Sequence, residues 1–159
     1  MTKDLRNMTI HEEKARELFL QGYNCAQSVF AAFCDMTRIP QEDALRLSSS
    51  FGGGIGRLRE VCGAVSGMEM VLGALMGYAS FDNKEEKTAH YARVRALAES
   101  FRAEHGTYIC RELLGPEADS SSPVPTDRNK EFFQKRQCLA YVGSAARILD
   151  EFLTKEGLL

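Results

Sequence analysis

The segment EVCGAVSGMEMVLGALMGYAS, residues 60–80, decides what this chain can fold into. It is long, apolar and rich in glycine; Cys62 stands at its head and one acid, Glu69, near its middle. Such a run either crosses a membrane or lies inside a helical bundle. A carboxylate at the midpoint of a span costs about 2.5–3.5 kcal/mol on insertion scales. Gly63, Gly67, Gly73 and Gly77 stand where leucine or isoleucine would offset that cost, and Ser66 and Ser80 dilute the run further. The segment therefore reads as a helix buried at the centre of a bundle, with no membrane span.

The flanking sequence is helical in pattern. Thr9 and Glu12 form a capping box ahead of an amphipathic run to Gln21, whose apolar face carries Ile10, Ala15, Leu18 and Phe19; Gly22 is its stop. Asn24 caps a second helix, CAQSVFAAFCDM, which ends before Pro40. QEDALRLSSSF is a short third helix. Asp82 and Glu85 open a long polar-faced helix to about His105. TYICRELLG is a further short helix closed by Gly115-Pro116, and EADSSSPVPTD is a surface loop. From Asn129 to Lys155 the pattern is helical again, with Cys138, Tyr141, Val142, Ala145, Ile148, Leu149 and Phe152 at steps of three and four. No stretch alternates long enough for a sheet. The expectation is an all-α fold, a compact bundle of about five to seven helices. It forms a single domain over 1–159, with its core at about 9–155 and a surface loop at about 116–127.

Several function classes drop out. A formal charge of −2 points to neither nucleic acid nor an anionic membrane. The N-terminal MTKDLRNMTIHEEKARELF has no apolar leader segment, so an unexported, cytoplasmic protein is expected, where thiols stay reduced. Five cysteines, an odd count, fit poorly with a disulfide framework. FGGGIG lacks the Lys-Ser/Thr of a phosphate loop and the third glycine of a dinucleotide turn, so it is read as a structural turn and no nucleotide is expected. No catalytic triad or carboxylate pair can be assembled. His11, His90 and His105 read as surface residues, Met68, Met70 and Met76 as core filler, and Glu69 as either superficial or paired inside.

The cysteines carry the chemistry. Cys25 follows the cap Asn24, Cys62 heads the glycine-rich helix, and Cys110 lies near the first turn of its short helix. Helix N-termini present free N–H groups and partial positive charge, which favour a thiolate. Cys138 lies on the apolar stripe of the last helix. Cys34 falls on the opposite face from Cys25 if their helix is regular, and reads as a small apolar residue. The spacings match no zinc finger, no thioredoxin motif and no covalent haem site. Gly63, Gly67, Ala74 and Gly77 fall along one helix side, where a neighbouring helix could approach closely. Arg57, Arg59 and Arg111 stand near Cys62 and Cys110 in sequence, either to lower thiol pKa values or bind an anion, or as solvated charges.

Four stretches, QGYNCAQSVFAAF, FGGGIGRLREVCGAVSGMEMVLG, FRAEHGTYICRELLG and KRQCLAYVGSAARIL, together resemble the C-GCAxxG-C-C family. That family is described as redox-active and is named for four cysteines and a CGAxxG motif. The motif stands here as Cys62-Gly63-Ala64-Val65-Ser66-Gly67, and the matching cysteines are Cys25, Cys62, Cys110 and Cys138. The resemblance covers most of residues 14–152, and Cys34 has no counterpart in the pattern. It implies a redox or metal role for the four thiolates, with Gly63, Ala64 and Gly67 as supporting backbone. It also implies a link to transporter components, near which members are often encoded. A similar module accompanies an iron–sulfur centre in split-Soret cytochromes; this chain has no haem-attachment motif, so the likeness extends to the sulfur site alone.

Three functions stay open on this reading. The first is an iron–sulfur or other thiolate-ligated centre for electron transfer, with zinc as a redox-silent occupant of the same sulfurs. The second is a metal-free dithiol–disulfide protein. The third is a non-enzymatic helical module associated with a transporter. Leu72, Leu75 and Met76 compete with Phe132, Phe133, Leu139 and Phe152 for one interior, so a homodimer through helix faces is also expected.

Overall fold

The computed structural model describes residues 7–159; the first six, which the 1–159 domain and the leader reading include, lie outside the described residues. Thr9 accepts the Glu12 amide at 3.3 Å and starts α1 (Ile10–Gln21), which Gly22 ends at φ 117°. Asn24 caps α2 (Cys25–Ala32) in a full capping box with Gln27. The chain continues through α3 (Cys34–Thr37) and α4 (Gln41–Ser48). A turn labelled α5 (Gly52–Ile55) leads to α6 (Gly63–Met76). Asn83 caps α7 (Lys84–His105) by accepting the Glu86 amide at 3.0 Å, so this start lies one residue beyond the Asp82–Glu85 pair. The last elements are α8 (Cys110–Leu114), α9 (Lys130–Lys135) and α10 (Cys138–Lys155).

The described residues are all-α, with nine helices once α5, whose Gly53 and Gly54 are left-handed, is set apart. The expected number was five to seven. Two runs that read as continuous are broken. Phe33, at φ −104° and ψ 18°, separates α2 from α3. Arg136, extended at φ −122° and ψ 142°, separates α9 from α10. The apolar period carries across both breaks, and periodicity alone joins the pieces.

The most central helix is α2, not the glycine-rich one. It packs against α6, α1, α4 and α10, and buries six of its eight residues. Helix α6 is buried along Gly63, Ala64, Val65, Gly67, Met68, Val71 and Leu72, but Gly73, Ala74 and Gly77 are exposed. The reason for its small residues is visible at the α2 contact. A Cβ on Gly63 would stand 2.9 Å from Phe51 O and 3.2 Å from Cys25 Cβ; one on Gly67 would stand 2.7 Å from Ala26 O. The neighbour that the Gly63 and Gly67 end of the stripe admits is thus α2 of the same chain. This close approach brings the starts of α2 and α6 side by side.

Candidate functional site

Cys25, Cys110 and Cys138 are the first residues of α2, α8 and α10, and Cys62 is the residue that caps α6. All four line one cavity of about 540 Å³. The placement of Cys138 differs from the sequence reading. It appeared to lie inside one long helix, but the break at Arg136 makes it a helix start. Cys34 does not line this cavity; it begins α3 and packs against the core. The half-turn argument is not what separates it from Cys25, because the helix does not run on regularly between them.

Backbone contacts hold the sulfurs together. The Cys62 amide donates to Tyr108 O at 2.8 Å and the Cys110 amide to Glu60 O at 2.6 Å, around an isolated antiparallel bridge between Val61 and Ile109. The glycine turn fits beneath: a Cβ on Gly54 would stand 2.8 Å from Cys110 Cβ, and its φ of 70° suits glycine. FGGGIG is therefore a turn that seats a cysteine.

The expectation that helix termini favour the thiolate at Cys25, Cys62 and Cys110 fails at all three. Cys25 is pushed well up by its hydrogen bond to Cys138 and by burial. Burial lifts Cys62 to about 12, against the opposing pull of the Ala64 and Val65 amides, whose contact stops short of a capping hydrogen bond. Burial also raises Cys110, against the Arg59 guanidinium beside it. Cys138 alone comes down, to about 7, because it accepts the Cys25 hydrogen bond with Arg136, Arg128 and Arg59 nearby. Desolvation opposes charge more strongly than the end of one helix favours it.

Four arginines line the same cavity: Arg57, Arg59, Arg128 and Arg136. Arg59 is buried, with Nη1 4.0 Å from Cys110 Sγ. Arg111 turns away, 3.1 Å from Glu60 and 3.0 Å from Arg59 O. Arg128 and Arg136 were not singled out from sequence. Arg136 had a signal, two residues before Cys138; Arg128 sits in a loop that gives none.

Among the described residues, no group of three or more His, Cys, Asp or Glu side chains is placed to hold a metal ion. The histidines are not the surface residues expected, and none lines the cavity. His11 is 2% exposed and stacks on Phe33 at 4.1 Å, His90 is buried and His105 half-buried. Both carboxylate oxygens of Glu69 are shut off from solvent without a hydrogen-bond partner, and burial lifts the carboxyl to about 8. No helix among the described residues is long and apolar enough to cross a membrane.

A family model with the description "Putative redox-active protein (C_GCAxxG_C_C)" matches residues 23–152. No curated protein and no solved structure matches the chain.

Proposed function

The chain belongs to the C_GCAxxG_C_C family, and from that premise we propose that its cavity is a redox centre holding an iron–sulfur cluster on Cys25, Cys62, Cys110 and Cys138. The observation that supports this reading is that four cysteines, each from the start of a different helix, line one cavity. Thiolates are the usual ligands of such clusters, and a bound cluster supplies one-electron transfer. The chain's own contribution is to limit water and to set positive charge beside the sulfurs, through Arg59, Arg128 and Arg136.

Anaerobic reconstitution with iron and sulfide, followed by metal analysis, tests the reading. Serine at each of the four positions should lower bound iron, while Cys34→Ser should not. A colourless protein without iron after reconstitution would overturn it. The reading includes a homodimer, a redox partner or transporter component, and a reducing compartment such as the cytoplasm. Sedimentation at several concentrations tests the dimer, for which a persistent monomer is the negative result.

The Cys25–Cys138 hydrogen bond favours a second reading, a metal-free dithiol. Oxidation would join the Cys138 thiolate to the Cys25 thiol, passing two electrons to a partner disulfide, which is reduced, and releasing the Cys25 proton. Mass spectrometry after mild oxidation should then find that linkage. Free thiols throughout, or linkage only through Cys34, would exclude it.

A further inference from the structure

The arginines of the cavity are anchored mainly by neutral acceptors. Arg57 donates to Ser122 O at 3.0 Å and to Thr126 Oγ1 at 2.7 Å. Arg128 donates to Phe19 O at 2.8 Å and Tyr23 O at 2.9 Å, and Arg136 to Glu117 O at 3.3 Å. Arg59 donates through Nε to Asp119 O at 3.1 Å. These acceptors are neutral. Among the described residues, no aspartate, glutamate or lysine lines the cavity. Two carboxylates stand behind it: Glu117, 4.0 Å from Arg136 Nε, and Asp119, whose carboxylate is turned to Ser121.

Arg59 itself is 3% exposed, and its Nη2 is buried with no hydrogen-bond partner. An unanswered N–H on a buried cation is costly and calls for an acceptor. The backbone also pays to present it. Arg57 and Arg59 both sit at positive φ, 69° and 62°, which side chains other than glycine adopt rarely. The N-termini of α2, α6 and α10 open on the same cavity and add partial positive charge.

We propose that this cavity binds a small multivalent oxyanion of the phosphate or sulfate class, received beside the sulfurs by the guanidinium groups of Arg57, Arg59, Arg128 and Arg136. Guanidinium groups recognise such anions through directed, charge-assisted hydrogen bonds. Crowding of like charge agrees with this: burial, then Arg59 and Arg136, lower the Arg57 pKa, against the opposing pull of Asp119 and Cys110. The inference rests on the redox reading for the purpose of the site, as the class of molecule brought to the sulfurs. The binding itself requires no electron transfer.

Calorimetry on the reduced, metal-free chain tests it, with inorganic phosphate, inorganic sulfate and glycerol 3-phosphate as probes and chloride at equal ionic strength as control. Saturable binding of one anion per chain is expected. Arg59→Gln should weaken it by about tenfold or more, and Arg59→Lys should restore part of the loss. Arg57→Gln, at a half-buried residue, serves as a second weakening variant should Arg59→Gln fail to fold. Tighter binding of the ester identifies the anion as the end group of a larger molecule; tighter binding of the inorganic ions identifies a free oxyanion. No saturation above chloride, or unchanged affinity in the folded arginine variants, overturns the proposal. So does loss of the binding once iron and sulfide are loaded, which would assign the arginines to the cluster's own charge. Failure of the redox reading shows separately, as absent iron and an absent Cys25–Cys138 linkage.

Discussion

Cys25 and Cys138, the first residues of α2 and α10, line one cavity, and hydrogen bonding between them keeps the proton on the Cys25 donor and favours the thiolate at the Cys138 acceptor. The donor is held protonated and the acceptor is lowered to about 7. In the metal-free protein, Cys138 is therefore the thiol expected to react first. Its alkylation by iodoacetamide, followed by mass spectrometry, should rise with pH through a midpoint of about 7. Cys25→Ala removes the hydrogen bond and should move that midpoint upward. An unchanged midpoint would mean that the two sulfurs do not share the proton.

Gly67 and Gly73 predict opposite signs for one substitution in one helix. Alanine in place of glycine gains about 0.8–1.0 kcal/mol of helix propensity. At Gly67 the new Cβ would stand 2.7 Å from Ala26 O, a backbone atom, so α6 must move off α2. Overpacking of that kind costs about 1–3 kcal/mol, and Gly67→Ala should destabilise the protein. At Gly73 nothing lies within 4 Å, so Gly73→Ala should retain the gain. Urea midpoints of the two variants read the difference. Equal shifts would show that α6 is not held so closely against α2.

The helical class and the capping residues Thr9, Gly22 and Asn24 were legible because they depend on local spacing. The reach of Gly63 and Gly67 toward a neighbouring helix was legible for the same reason, though not that the neighbour is α2. The breaks at Phe33 and Arg136 were not, because the apolar period runs through them. That hid the position of Cys138 at a helix start. Arg128 escaped notice because what matters about it is long-range: its guanidinium lies 3.9 Å from the centre of the Phe19 ring. The thiol argument was reversed at Cys25 by Cys138 and then burial, and at Cys62 and Cys110 by burial, all of which depend on packing that one helix end does not reveal.

His11 gives a pH dependence. Its Nδ1 lies 2.6 Å from Asp150 Oδ1 and its Nε2 2.9 Å from Asp35 Oδ1, joining α1 to α10 and α3. Burial works against its charge, but hydrogen bonds and charge from Asp150 and then Asp35 prevail, and its pKa is raised. A raised histidine pKa contributes stability that is fully present below the unfolded value of about 6.5 and is lost as pH rises through the folded value. Relative to His11→Gln, wild-type stability should therefore decline from about pH 6.5 upward. Chemical denaturation across pH 5–9 checks this, and parallel profiles for the two proteins would exclude a charged clasp.

Glu69 has the opposite sign from a paired carboxylate. Its two oxygens are buried without partners, and its folded pKa rises to about 8 through desolvation. In the unfolded chain a glutamate ionises near about 4.3. Between these values the unfolded state releases its proton while the folded state keeps it. Raising the pH therefore favours unfolding, until the folded carboxyl also ionises and the curve flattens. Glu69→Gln keeps nearly the same shape but cannot ionise, so its stability should lack this decline. The two proteins should be alike near pH 4 and diverge toward pH 8, with the glutamine variant then the more stable. The gap at pH 8 should be on the order of several kcal/mol, because each unit between the unfolded value of about 4.3 and the folded value is worth about 1.4 kcal/mol. Urea denaturation at a series of pH values measures it. A constant difference from pH 4 to pH 9 would show that Glu69 is ionised in the folded protein and has found a partner.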